Sequence, residues 1–301
     1  MGTLCRHPSV VKLISILSRV MLTAVFFVLA CTSPCMGDPF QSLAPGLALG
    51  VFHLSPKGDS GDRSPTISLL RIDPRHFRFK LITQNVSPPK VATLKQWCKT
   101  NNLVAAINAS MYRENRQQST GYMKTHGLVN NGYINPRFGA FFVFDPQKPF
   151  LPSVQFLDRT RDDWRTLITK YDTVIQNFRL INAAGKNLWP RTSKKHSIAA
   201  VGMDMEGRVL FIHCQTPMSV HAFNQALLGL PVGIENAMYV EGGAEAAMCL
   251  HLGTTWRLWT GRSEHPFLGT TPKRLWPVPN VIGIQPVKKT IRPLPHTTPG
   301  E

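Results

Sequence analysis

Short apolar runs closed by turn-forming residues follow one another along most of this chain, and few folds accept such a pattern. Leu47–Leu54, Thr66–Ile72 and Phe77–Thr83 come first. In the third, Phe77, Phe79 and Leu81 alternate with Arg78 and Lys80, the period of a strand with one buried face. Val104–Ile107, Phe141–Phe144, Val174–Phe178, Ile198–Met203, Val209–His213, Ala237–Val240, Trp256–Trp259 and Val281–Ile284 read as further strands. Glu206-Gly207 supplies a hairpin turn between two of them, and Asn131-Gly132 supplies another after Leu128 and Val129. Only two segments carry a helical signature. Thr93 opens one that presents Leu94, Trp97 and Cys98, and Asn101-Asn102 ends it. Ser219 caps the other, in which Ala222, Phe223, Ala226 and Leu227 recur at helical spacing before Gly229 and Pro231. Many strands and two clear helices predict an α+β domain with a mixed, largely antiparallel sheet and a few packed helices.

That domain spans 47–286. Residues 1–37 carry Arg6, Lys12 and Arg19 but no acid, then the apolar run Val20–Ala30, then small and helix-breaking residues up to Gly37. This order is that of a secretory signal, and the run is about half of the ~20 residues that span a bilayer. Val28-Leu29-Ala30-Cys31 also resembles a lipoprotein box, so membrane anchoring through the N-terminus stays open beside cleavage near Gly37. Residues 38–46 read as a tether, 55–65 as a Gly/Ser/Pro loop and 287–301 as a basic, Pro-rich tail. Cutting near Gly37 leaves Cys98, Cys214 and Cys249, which read as small buried apolar residues and allow at most one disulfide.

The 34 Lys and Arg residues outweigh 17 Asp and Glu by 17 charges, which favours anionic partners. Zinc-finger spacing and the aromatic RNA-binding signature are both missing, so nucleic acid is not expected. No GxSxG, HExxH, Walker or Rossmann pattern occurs, which removes support for serine-hydrolase, zinc-protease, nucleotide-hydrolysing and dinucleotide chemistry. No Cys/His metal spacing is present and no cofactor is expected, with a divalent cation left open.

Three segments carry the candidate chemistry. In Ala237–Glu245 an apolar strand delivers Glu241 and runs into Gly242-Gly243, whose amides can approach a ligand, with Glu245 beyond. In Val104–Tyr112 a buried strand ends in Asn108, Ser110 and Tyr112; Asn108-Ala109-Ser110 is also a glycosylation sequon, as is Asn85-Val86-Ser87. In Thr125–Gly132, Lys124 and His126 are placed to meet an anion. His213 and Cys214 adjoin, but neighbours on a strand point to opposite faces and cannot form a dyad.

Together and in this order, the segments resemble the phosphodiester glycosidase family, most closely its bacterial, exported branch. The match rests on Ala106-Ile107-Asn108-Ala109-Ser110-Met111-Tyr112, then Gly127-Leu128-Val129-Asn130-Asn131-Gly132, then Phe138-Gly139-Ala140-Phe141-Phe142. Val201-Gly202-Met203-Asp204-Met205-Glu206-Gly207 and Asn236-Ala237-Met238-Tyr239-Val240-Glu241-Gly242-Gly243 complete it, from about residue 47 to 285. Four departures from the family pattern stand out. Glu241 stands where the family usually has Asp, and Glu245 and Ala246 replace its serines. Ser110 replaces a glycine, and Lys195 and His196 are the nearest bases to an expected arginine.

The resemblance implies an exported hydrolase of the periplasm or cell envelope, acting on a sugar-1-phosphodiester or related glycosidic bond. Its substrate is then anionic carbohydrate or a sugar phosphodiester. Glu241 would be acid/base or nucleophile and Asn108 would orient the sugar or phosphate. Gly242, Gly243 and Lys195 or His196 would hold the anion, Ser110, Tyr112 and His126 would line the site, and Glu245 would be a second carboxylate. The alternative is a catalytically inactive envelope module that binds anionic polysaccharide.

Overall fold

The computed structural model describes residues 38–54, 64–83, 91–182, 184–262, 264–265, 269–270 and 274–287. The export segment, most of the 55–65 loop, the Asn85 sequon and the tail from 288 lie outside the described residues. Every strand pairing among the described residues is antiparallel. The expected largely antiparallel α+β architecture therefore holds in outline, with strands dominating and three short α-helices.

Seven strands form the first sheet, in the order β1 (Phe40–Ala44), β2 (Leu47–His53), β3 (Thr66–Ile72), β13 (Val209–Met218), β12 (His196–Asp204), β14 (Ile234–Gly242) and β11 (Arg179–Ile181). The second has five: β7 (Leu128–Asn131), β6 (Met123–Thr125), β10 (Tyr171–Asn177), β8 (Ala140–Pro146) and β9 (Val154–Asp158). The third also has five: β16 (Thr255–Thr260), β15 (Ala247–Leu252), β5 (Ala105–Asn108), β19 (Val281–Pro286) and β4 (Phe77–Ile82). A two-stranded ribbon joins β17 (Glu264–His265) to β18 (Gly269–Thr270).

The main core lies where the three sheets face one another. The period-two reading of Phe77–Ile82 explains how: Phe77, Phe79 and Leu81 are buried while Arg78 and Lys80 stay exposed. Phe79 of the third sheet touches Phe142 and Phe144 of the second at ring distances of 5.7 and 6.0 Å, and Phe211 of the first at 6.2 Å. One side chain thus links all three sheets, in the tilted and edge-on geometries that aromatic rings favour.

Helix α1 (Leu94–Thr100) covers the third sheet with Leu94, Trp97 and Cys98. Thr93 accepts from the Gln96 amide and the Gln96 side chain accepts from the Thr93 amide, a reciprocal cap. Helix α2 is the single turn Trp164–Leu167. Helix α3 (Val220–Gly229) packs Val220, Phe223 and Leu227 on the far face of the first sheet. Ala222, assigned to its apolar stripe from spacing, is exposed instead, and the polar Asn224 is buried with its amide donating to the Leu180 carbonyl at 2.9 Å.

Three further expectations are corrected. Phe40–Ala44, read as part of a tether, is strand β1, because Phe40 buries its ring against Phe52 and under the Arg71 guanidinium. The second hairpin turns at His126-Gly127, not at Asn131-Gly132. His126 and Gly127 take φ of 41° and 80°, the paired positive values of a tight two-residue turn, while Asn130 and Asn131 are buried in β7. Cys98 and Cys249 are bonded as a disulfide that ties α1 to β15, so only Cys214 is a free buried thiol among the described cysteines.

Candidate active site

The site is built by an irregularity in β14. Opposite β12, Ala199 pairs with Glu241 but Ala200 pairs with Tyr239, so Val240 is an extra residue. Such a bulge re-aims the side chain that follows it. Without it Glu241 would share the face of Ala237 and Tyr239, which packs towards α3. With it Glu241 shares the face of its partner Ala199, on the main-core side.

The same register carries a polar row across the sheet. Ser68, His213, Ala199 and Glu241 stand opposite one another on β3, β13, β12 and β14. His213 and Glu241 therefore point the same way, on either side of the small Ala199. Cys214 lies on the other face, in the core beneath α3.

Glu241 is 8% exposed, and its Oε1 accepts from the Gly242 amide at 2.9 Å. Burial pushes its carboxyl up to about 8, the Gly242 bond opposes that, and the negative charge of Glu245 adds to it. Glu241 thus keeps its proton at neutral pH. His213 is fully buried, and burial pulls its imidazole down to about 4, so it is neutral. Its Nε2 lies 3.2 Å from the Ala246 carbonyl, and its Nδ1 has no partner.

Between these side chains the chain turns through a single 3-10 turn, Gly243–Glu245. Gly242 is extended, and only Gly243, at φ 70°, needs glycine's freedom. Gly261 packs against this turn so closely that a Cβ there would lie 1.9 Å from the Gly243 carbonyl oxygen. Asn108 clamps the turn from β5: its amide donates to the Glu245 carbonyl at 3.1 Å, and its oxygen accepts from the Ala247 amide at 2.7 Å. His213 holds the intervening Ala246. The turn is therefore fixed from two sheets at consecutive residues.

Glu245 is held at its tip. Tyr112 donates its hydroxyl to Glu245 Oε2, and Arg116 lies 3.5 Å from Oε1. The Arg116 guanidinium also stacks 5.1 Å from the Tyr112 ring and donates to the Pro277 carbonyl at 2.7 Å. Burial and the Glu245 carboxylate together hold the Tyr112 hydroxyl well above the usual phenol range, so it acts as a donor.

The structure gathers Glu241, Gly242, Gly243, Glu245, Asn108 and Tyr112 at this turn. Asn108 spends both ends of its amide on backbone, so it shapes the turn instead of facing a ligand. Ser110 is buried, with its hydroxyl 2.8 Å from that of Ser119 and donating to the Met111 carbonyl at 3.0 Å. His196 packs on the other side of Gly242: its Nε2 is 3.3 Å from the Tyr239 hydroxyl, and a Gly242 Cβ would meet both rings. Burial, with the Lys194 charge behind it, keeps His196 below the usual imidazole range. Lys195 is exposed in the segment before β12.

His126 does not join the group. It sits in the β6–β7 turn, 3.1 Å from Asp145 and 3.9 Å from Asp172. Sequence reasoning missed Arg116, which lies in a polar loop with no periodic signal, and the part played by His213. A histidine in an apolar strand was the available signal for the latter. No cluster of three or more metal-ligating side chains occurs among the described residues.

The model of the phosphodiester glycosidase family matches residues 101–285 of the 301, well over half the chain. The chain belongs to that family. Solved structures share the fold, two of them as follows. One is the catalytic domain of zebrafish N-acetylglucosamine-1-phosphodiester alpha-N-acetylglucosaminidase, auto-inhibited by its pro-peptide. It has a TM-score of 0.57 and 18% identity, over 81% of this chain and 85% of that one. The other is a hypothetical protein from Synechocystis, with a TM-score of 0.53 and 13% identity, over 84% of this chain and 66% of that one. No protein of curated function matches the sequence.

Proposed function

We propose that this chain is an exported hydrolase that cleaves a sugar-1-phosphodiester or a related glycosidic bond in envelope or exopolysaccharide material. The observation that carries the reading is Glu241, a buried carboxyl re-aimed by the β14 bulge at the start of the turn that carries a second carboxylate, Glu245; burial raises its pKa. Hydrolysis of a glycosidic bond needs a proton for the departing oxygen and assistance to the attacking water. Glu241 donates the proton. Glu245, fixed by Tyr112 and Arg116, is the group available to take one from water. The substrate's negative charge meets Arg116 and the amides of the Gly243–Glu245 turn. The basic, apolar and small-residue order of 1–37 supports export, and the +17 charge supports an anionic substrate.

A second reading, an inactive envelope module binding anionic polysaccharide, draws on Asn108 and Ser110, whose polar groups are spent on internal bonds. Sugar release from a panel of sugar-1-phosphodiesters and aryl glycosides separates the two. Release that vanishes in Glu241→Gln supports the hydrolase. Saturable glycan binding without release, in a folded protein, favours the module.

A further inference from the structure

A cavity of about 320 Å3 opens at the edge strand β11, lined by Arg137, Gly139, Phe178, Arg179, Leu188, Trp189 and Pro190. None of these residues takes part in the Glu241 turn. We propose that this cavity is a second ligand site, for a single anionic sugar ring such as a hexose phosphate or a hexuronate.

Its walls are preformed. Trp189 donates its indole N–H to the Arg179 carbonyl at 2.9 Å, which fixes the ring. Phe178 packs against Trp189 at 5.4 Å and against Phe138 at 4.3 Å. Leu188, 46% exposed, adds an apolar surface at the opening. Fixed aromatic faces of this kind suit the apolar face of a sugar ring.

The floor carries charge. Arg179 donates from one end of its guanidinium to Asp158 and to Thr160 Oγ1, but its Nε is buried without a partner. Arg179 nonetheless lines the cavity and keeps 16% of its side chain exposed. Gly139 lets Arg179 lie close against the strand: a Cβ there would come within 3.3 Å of Arg179 Cβ and Nε and 3.4 Å of Cζ. Arg137 is exposed, and no ion pair involves it among the described residues. Two guanidinium groups beside aromatic walls select a ligand with an anion on a ring. The volume sits at the small end of ligand pockets, about 300–1,000 Å3, which admits one ring and excludes a polymer segment.

The test is calorimetric titration of the full chain with glucose 6-phosphate, glucuronate, glucose and inorganic phosphate. The two anionic sugars should bind saturably, and glucose and phosphate should bind at least about tenfold more weakly, the worth of one charge-assisted bond. Arg137→Ala, a surface change, should weaken both anionic sugars by about tenfold with unchanged melting temperature, and Gly139→Ala, whose methyl presses on Arg179, should weaken them likewise. Phosphate binding as tightly as the sugars would show a plain anion site and overturn the ring assignment. Unaltered affinity in both variants would place the ligand elsewhere, and no binding to any probe would overturn the proposal outright.

Discussion

Replacing Glu241 by Gln should make the protein more stable, and by an amount that depends on pH. The ordinary glutamate value is 4.5, and burial pushes this one up to about 8. Below pH 4.5 both folded and unfolded chains carry the proton and the residue contributes no pH dependence. Between 4.5 and 8 the unfolded chain releases a proton that the folded chain keeps. Stability then falls as pH rises, by about 1.4 kcal/mol for each pH unit. Above 8 the loss is complete, at about 5 kcal/mol. Gln keeps an oxygen for the Gly242 amide and has no charge to bury. At pH 7 the variant should therefore gain about 3 kcal/mol, which for a domain of this size is roughly 6–12 °C in melting temperature. The assay is thermal and urea denaturation of both proteins from pH 4 to 9. A variant no more stable than the parent at pH 8, or a difference that does not change with pH, would refute the reasoning.

Other perturbations probe other parts of the account. Phe79→Ala removes the ring that joins three sheets and should cost about 3–5 kcal/mol in urea denaturation. Asn108→Ala leaves the Ala247 amide and the Glu245 carbonyl unpaired, and should cost about 2–4 kcal/mol while freeing Glu245. Its proteolysis near 243–247 should accelerate, and an unchanged rate would contradict the clamp. Gly261→Ala drives a methyl group into the Gly243 carbonyl and should abolish sugar release even where the protein stays folded. Cys214 should resist thiol reagents in the native state and react once the chain unfolds, because burial pushes its thiol up to about 12.

The sequence was most readable where period and burial agree. Phe77–Ile82 alternates cleanly, and Thr66–Ile72 is apolar between clear turn signals; both are strands as read. Thr93 was legible as the start of a helix, and the structure adds Gln96, three residues on, where each can reach the other's amide. Strand β15 was not legible, because it follows the Gly243–Glu245 turn with no further break. Strand β11 is only three residues long, and its partner lies almost 60 residues away in sequence. The β6–β7 turn was misplaced because Asn131-Gly132 is the stronger local signal. Tertiary burial of Asn130 and Asn131 overrides it. At the site, the carboxylate before Gly242-Gly243 stood out, but its direction did not. One extra residue in a strand decides which face Glu241 takes, and local sequence does not encode that register. Arg116 and His213 reach the turn through contacts 129 and 33 residues apart, beyond any local pattern.

The central claim is that Glu241 holds a proton at neutral pH for delivery to a departing oxygen. It is tested most directly by titrating that carboxyl alone. Carbon-13 NMR of glutamate-labelled protein, with the Glu241 signal assigned by its loss in Glu241→Gln, would follow its ionisation from pH 3 to 10. A midpoint near 8 is the result expected from its burial. A midpoint near 4.5 would show an ionised carboxylate at neutral pH, and Glu241 would then not be the proton donor.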